Sequence, residues 1–87
     1  MEEDTEILKV LFYYKEGCHL CDQMQRSLAA FLNRRPLKTQ IAIEPRDIES
    51  KEAWFAEFRE YIPVLVVNGE EVCHYFFDEE AFVEALG

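Results

Sequence analysis

Two cysteines three positions apart, in Cys18-His19-Leu20-Cys21, constrain this chain more than any other feature, because of what flanks them. Residues 7–14 read Ile-Leu-Lys-Val-Leu-Phe-Tyr-Tyr, almost continuously apolar, and end at Lys15-Glu16-Gly17. Such a run fits a strand covered on both faces, as in an α/β sheet, and the three residues after it make a turn. In residues 21–32, Cys21, Met24, Leu28, Phe31 and Leu32 fall on one helical stripe, while Asp22, Gln23, Gln25 and Arg26 face away. That is the pattern of an amphipathic helix. A dithiol at a strand-to-helix junction points to redox chemistry. The first thiol falls at the helix N-terminus, where free N–H groups and the macrodipole stabilise a thiolate. The second falls about one turn in, close enough to attack a mixed disulfide formed on the first.

The remaining pattern alternates between strand and helix. Arg34 and Arg35 suit the C-terminal end of a helix dipole, and Pro36 stops that helix. Residues 39–44 make a short second strand. Residues 47–49 lead into a second helix, with Trp54, Phe55, Phe58, Tyr61 and Ile62 as its core stripe and Pro63 ending the pattern. Residues 64–67 are a buried third strand, Asn68-Gly69 is a hairpin signal, and residues 71–76 are the fourth strand. Asp78 is a good N-cap, Glu79 and Glu80 favour a first turn, and Phe82, Val83 and Leu86 form the last stripe. The order is β-α-β-α-β-β-α: an α/β fold with a four-stranded mixed sheet, in a single domain spanning residues 1–87.

Charge narrows the partners. The net charge is −9, and twelve of the eighteen acidic residues lie in residues 44–87 with only three of the nine bases. Phosphate binding needs the opposite sign, so neither nucleic acid nor an anionic membrane is an expected partner. No apolar stretch approaches the roughly 20 residues that span a bilayer. The acidic start, Met1-Glu2-Glu3-Asp4, lacks the basic region of a signal peptide. These features predict a cytoplasmic monomer whose thiols are reduced at rest.

Over nearly its whole length the chain resembles the glutaredoxin-like branch of the thioredoxin superfamily. Tyr13-Tyr14-Lys15-Glu16-Gly17-Cys18-His19-Leu20-Cys21-Asp22 is similar to the start of small bacterial glutaredoxin-like proteins with a Cys-His-Leu-Cys site. Asp47-Ile48-Glu49-Ser50 is similar to their acidic segment after the second strand. Ile62-Pro63-Val64-Leu65-Val66-Val67-Asn68-Gly69 is similar to the superfamily's proline loop, third strand and turn. The resemblance implies a thioredoxin-like fold and a cis Ile62-Pro63 bond facing the dithiol. It also implies an Ile62 backbone exposed to pair, strand-like, with a substrate backbone or glutathione. Lys15 aligns with a lysine that meets a glutathione carboxylate in glutaredoxins. Two departures stand out. His19-Leu20 replaces the usual Pro-Tyr, and His74-Tyr75-Phe76-Phe77-Asp78 stands where a Gly-Gly pair is usual, which predicts weak glutathione turnover.

The leading reading is therefore a thiol–disulfide oxidoreductase. Cys18 is the nucleophile and Cys21 the resolving thiol, shielded on its apolar stripe. Lys15, His19, Ile62 and Pro63 form the substrate side. Lys15 and a protonated His19 would lower the Cys18 pKa, whereas Glu16 and Asp22 would raise it. The substrate is a disulfide-containing protein or a glutathione mixed disulfide. No cofactor is tightly bound, and glutathione is a possible cosubstrate. A thioredoxin-fold binding module whose dithiol is not turned over is the alternative. A metal site is a further one, since Cys18, Cys21, Cys73 and His74 make a Cys3His zinc set in type. Cys73 otherwise reads as a small buried residue of the last strand.

Overall fold

A computed structural model describes residues 7–34 and 40–86. Strand β1 (Ile7–Tyr14) leads into helix α1 (His19–Arg34), followed by β2 (Gln40–Asp47), a 3-10 turn (Ile48–Ser50) and α2 (Glu52–Phe58). Strands β3 (Val64–Val67) and β4 (Glu70–His74) and helix α3 (Glu79–Leu86) complete the chain. The strands form one mixed sheet in the order β2-β1-β3-β4. β1 runs parallel to β2 and antiparallel to β3, and β3 and β4 are antiparallel.

The apolar run of β1 is explained by its central place in the sheet. Val10 and Phe12 join Leu65 and Val67 of β3 in a core under α1 and α3, filled by Met24, Leu28, Phe31 and Phe82. Tyr13 points the other way and joins Val64 and Ile48 in a second core, against Trp54 and Phe58 of α2. The strand alternation thus feeds two layers, one on each face of the sheet. The hairpin forms where Asn68-Gly69 predicted it. Both residues take positive φ, +54° and +80°, as a two-residue turn of this kind requires. Asp78 caps α3, its Oδ1 accepting the Ala81 N–H at 3.1 Å.

Four boundaries differ from the sequence expectation. α1 begins at His19, ahead of the apolar stripe. β2 continues to Asp47, because its pairing with β1 persists through Tyr14↔Asp47. β4 ends at His74, where Tyr75 turns into the left-handed region at φ +66°. α2 stops at Phe58 and buries no residue completely. The expected core stripe is therefore only partly core: Phe55 is 37% exposed and Tyr61 47%. The physical reason is that Tyr13 engages only Trp54 and Phe58, one turn apart, with ring centroids 5.7 and 4.2 Å away. Arg35, Pro36 and Thr39 lie outside the described residues.

Candidate functional site: a dithiol at a helix N-terminus

Gly17, at φ +78°, closes the turn between β1 and α1, and the Lys15 carbonyl accepts the Cys18 N–H at 3.3 Å. With the helix starting at His19, Cys18 holds the N-cap position and Cys21 is the third helical residue. A cap side chain normally accepts the free N–H of that third residue. Here the Cys18 Sγ does so, at 3.1 Å from the Cys21 N. The N–H and the helix dipole both favour negative charge on that sulfur. The two sulfurs are joined as a disulfide, with the Cα atoms 5.2 Å apart. Cys18 is half-buried and Cys21 is 2% exposed, so the sulfur open to attack is the one at the cap.

Cys18 opens on a cleft of about 460 Å³ that it shares with Lys15, Phe55, Arg59 and Ile62. The Ile62–Pro63 bond is cis, and Pro63 is fully buried. Neither the N–H nor the C=O of Ile62 has a hydrogen-bond partner among the described residues. His19 is exposed on the first helical turn and does not line the cleft. A larger groove of about 550 Å³ runs between α1 and β2, with Cys21, Phe12 and Ile43 among its lining residues, but Cys18 is not part of it.

The family model for the glutaredoxin-like domain (DUF836) matches residues 9–87. The chain belongs to that family. Comparison with solved structures places the glutaredoxin-like chain beside the NMR structure of protein Ne2328 from Nitrosomonas europaea. The two are 28% identical, with a TM-score of 0.72, covering 97% of this chain and 96% of that one. A structure described as a malarial protein is 14% identical, with a TM-score of 0.62 over 95% of this chain and 94% of its own. Thioredoxin-2, a component of the malaria parasite protein secretion machinery, is 13% identical, with a TM-score of 0.60 over 99% and 95%. The last two show the thioredoxin-like fold alone. A comparison with curated proteins found no match.

The rest of this glutaredoxin-like domain clarifies three expectations. Cys73 is a free, buried thiol on the edge strand β4. Burial pushes its pKa up, against a hydrogen bond from the Asp78 backbone. Among the described residues no group of three or more His, Cys, Asp or Glu is arranged to hold a metal ion, so the Cys3His set is not assembled. Phe77 turns inward, its ring 5.9 Å from Phe31 and 5.6 Å from Phe82, whereas Phe76 is 65% exposed. Neither lines the Cys18 cleft.

Sequence reasoning missed three contributors: Arg59, Phe55 and Tyr75. Arg59 and Phe55 form one wall of the cleft, the guanidinium 6.0 Å from the ring centroid. Phe55 reads by its spacing as helix core, and no local pattern places Arg59 beside Cys18. Tyr75 donates its N–H to the Pro63 carbonyl at 2.9 Å and its hydroxyl to the Glu60 carbonyl at 2.6 Å.

Proposed function

We propose that this chain is a thiol–disulfide oxidoreductase of glutaredoxin-like type. The observation that carries the reading is the cap geometry: Cys18 Sγ accepts a helix N–H and opens on a cleft, while its partner Cys21 is buried one turn away. In the reduced protein the Cys18 thiolate attacks one sulfur of a substrate disulfide. One substrate sulfur leaves as a thiolate and takes up a proton, and Cys18 is held as a mixed disulfide. Cys21 loses its proton and attacks the Cys18 sulfur, so that the second substrate thiol departs and the Cys18–Cys21 disulfide forms. The substrate gains two electrons and two protons; the protein gives up the two electrons and the Cys21 proton, and water supplies the second proton, matching the one Cys18 released on ionising. Glutathione or a dithiol protein then reduces the pair.

The free backbone of Ile62 is the second half of this reading. An N–H and a C=O left unpaired beside the nucleophile can accept an extended substrate as an added strand. Lys15 and Arg59 would meet carboxylates of a substrate protein or of glutathione at the cleft mouth. We place the reaction in the cytoplasm, with the chain acting as a monomer. Among the described residues no helix is long and apolar enough to cross a membrane.

Turnover of a peptide disulfide with a recycling dithiol tests the proposal. Wild type should turn over many equivalents, and Cys18→Ser none. Equal rates for the two would overturn the assignment.

A further inference from the structure

The chain beyond β4 turns at Tyr75, whose φ of +66° lies in a region that non-glycine residues seldom occupy. In that conformation a single residue points two donors at one short segment. Its N–H reaches the Pro63 carbonyl at 2.9 Å, and its hydroxyl reaches the Glu60 carbonyl at 2.6 Å. Tyr61 and Ile62 lie between these anchors. The Tyr61 N–H is tied back to the Phe58 carbonyl at 2.8 Å, at the end of α2. The Tyr75 ring is itself braced, edge-on to His74 at 4.7 Å, and His74 in turn meets Tyr61 at 5.8 Å. Of the residues so enclosed, Ile62 alone lines the cleft with Cys18 while keeping both backbone groups unpaired among the described residues.

We propose that Tyr75 is a positioning residue. It clamps residues 60–63 from both ends and so fixes the Ile62 backbone relative to Cys18. This rests on the oxidoreductase reading and deepens it by naming the substrate class that needs the clamp: an extended polypeptide carrying the disulfide. Such a substrate pairs with the Ile62 N–H and C=O, and pairing requires those two groups at a fixed spacing and direction. A small disulfide with no backbone needs only Cys18. The clamp therefore acts on recognition of polypeptide, leaving sulfur chemistry alone.

Two variants separate the parts. Tyr75→Phe removes only the hydroxyl. Tyr75→Asn tolerates the left-handed backbone, keeps the N–H and removes ring and hydroxyl together. Each pre-reduced protein is mixed in single turnover with two substrates that release the same thiol. One is an extended peptide whose cysteine is disulfide-linked to mercaptoethanol, and the other is hydroxyethyl disulfide. Cys18 alkylation by iodoacetamide is measured alongside, to show that the thiol and its helix are intact. For Tyr75→Phe the half-saturating peptide concentration should rise about 3- to 10-fold, the worth of one hydrogen bond. Its limiting rate, its rate with hydroxyethyl disulfide and its alkylation rate should match wild type. Tyr75→Asn should show at least the same loss on the peptide. Parallel losses on both substrates, or no loss on the peptide in either variant, would overturn the clamp. So would a wild type that reduces both substrates with no preference for the peptide, although the redox reading would then survive. A wild type that reduces neither refutes the oxidoreductase reading and the clamp with it.

Discussion

Cys18 occupies a position where a serine or aspartate oxygen would ordinarily accept the helix N–H, and a sulfur placed there gains most by being charged. Cys21 is walled into the core and Cys73 is buried with its pKa pushed up by desolvation. In the reduced protein, brief limiting iodoacetamide should therefore label Cys18 far faster than the other two, read by peptide mass spectrometry. Uniform labelling of the three thiols would contradict the cap geometry. At this scale the dithiol pair was legible in the sequence, because a three-residue spacing at a strand-to-helix junction leaves few other arrangements, whereas Lys15, which lines the cleft, was suggested only by the family resemblance. Tyr75 was not legible. Its role depends on a positive φ and on carbonyls twelve to fifteen residues away, and no local pattern encodes either. His19 lies between the thiols in sequence yet outside the cleft, since the first residue of a helix points according to the turn and not according to its neighbours.

Among the elements, Arg46 of β2 adds a polar tie between the sheet and α2, beside the packing of Trp54 and Phe58 on Tyr13. Arg46 donates to the Tyr13 hydroxyl at 2.9 Å and to Glu44 at 2.6 Å, and its guanidinium lies 4.9 Å from the Trp54 ring centroid. Arg46→Ala should lower unfolding stability by about 1–2 kcal/mol, the combined worth of a cation–π contact and a hydrogen bond at a partly exposed site. Chemical denaturation checks it, and an unchanged midpoint would show that α2 is held by Trp54 and Phe58 alone. The Arg46 guanidinium first, and Lys9 second, hold the Glu44 carboxyl below its ordinary value of 4.5. A depressed carboxyl stabilises the fold above its unfolded pKa and loses that contribution as pH falls through its folded one. The difference in Tm between wild type and Glu44→Gln should thus be present near neutral pH and shrink below pH 4.5. A difference that persists unchanged into acid would contradict the pairing. Element existence and order were readable throughout, since β1, β3, the hairpin and α3 each carry a strong local pattern. α2 was read as more buried than it is. Helical spacing groups Phe55 and Tyr61 with Trp54 and Phe58, but a short helix over one tyrosine buries only the residues that face it.

For the whole molecule, charge and chemistry pull apart. A net charge of −9 surrounds a cleft lined by Lys15 and Arg59 together with Glu60, whose carboxylate lies 3.9 Å from the Arg59 guanidinium. The wide field repels an anionic reductant until salt screens it over roughly 8 Å at physiological ionic strength. Recycling by glutathione should therefore speed up, by about twofold, between low and physiological salt. Recycling by uncharged dithiothreitol should not change. A glutathione rate that falls with salt would mean that the two cleft cations govern the approach. The proposed function is the passage of electrons through Cys18 and Cys21 in turn. Its most direct test is the intact mass of Cys21→Ser after mixing with a peptide disulfide. We predict a stable one-to-one adduct on Cys18, released by dithiothreitol and absent from Cys18→Ser. No adduct on Cys18, or an adduct that forms equally well on Cys73, would contradict it.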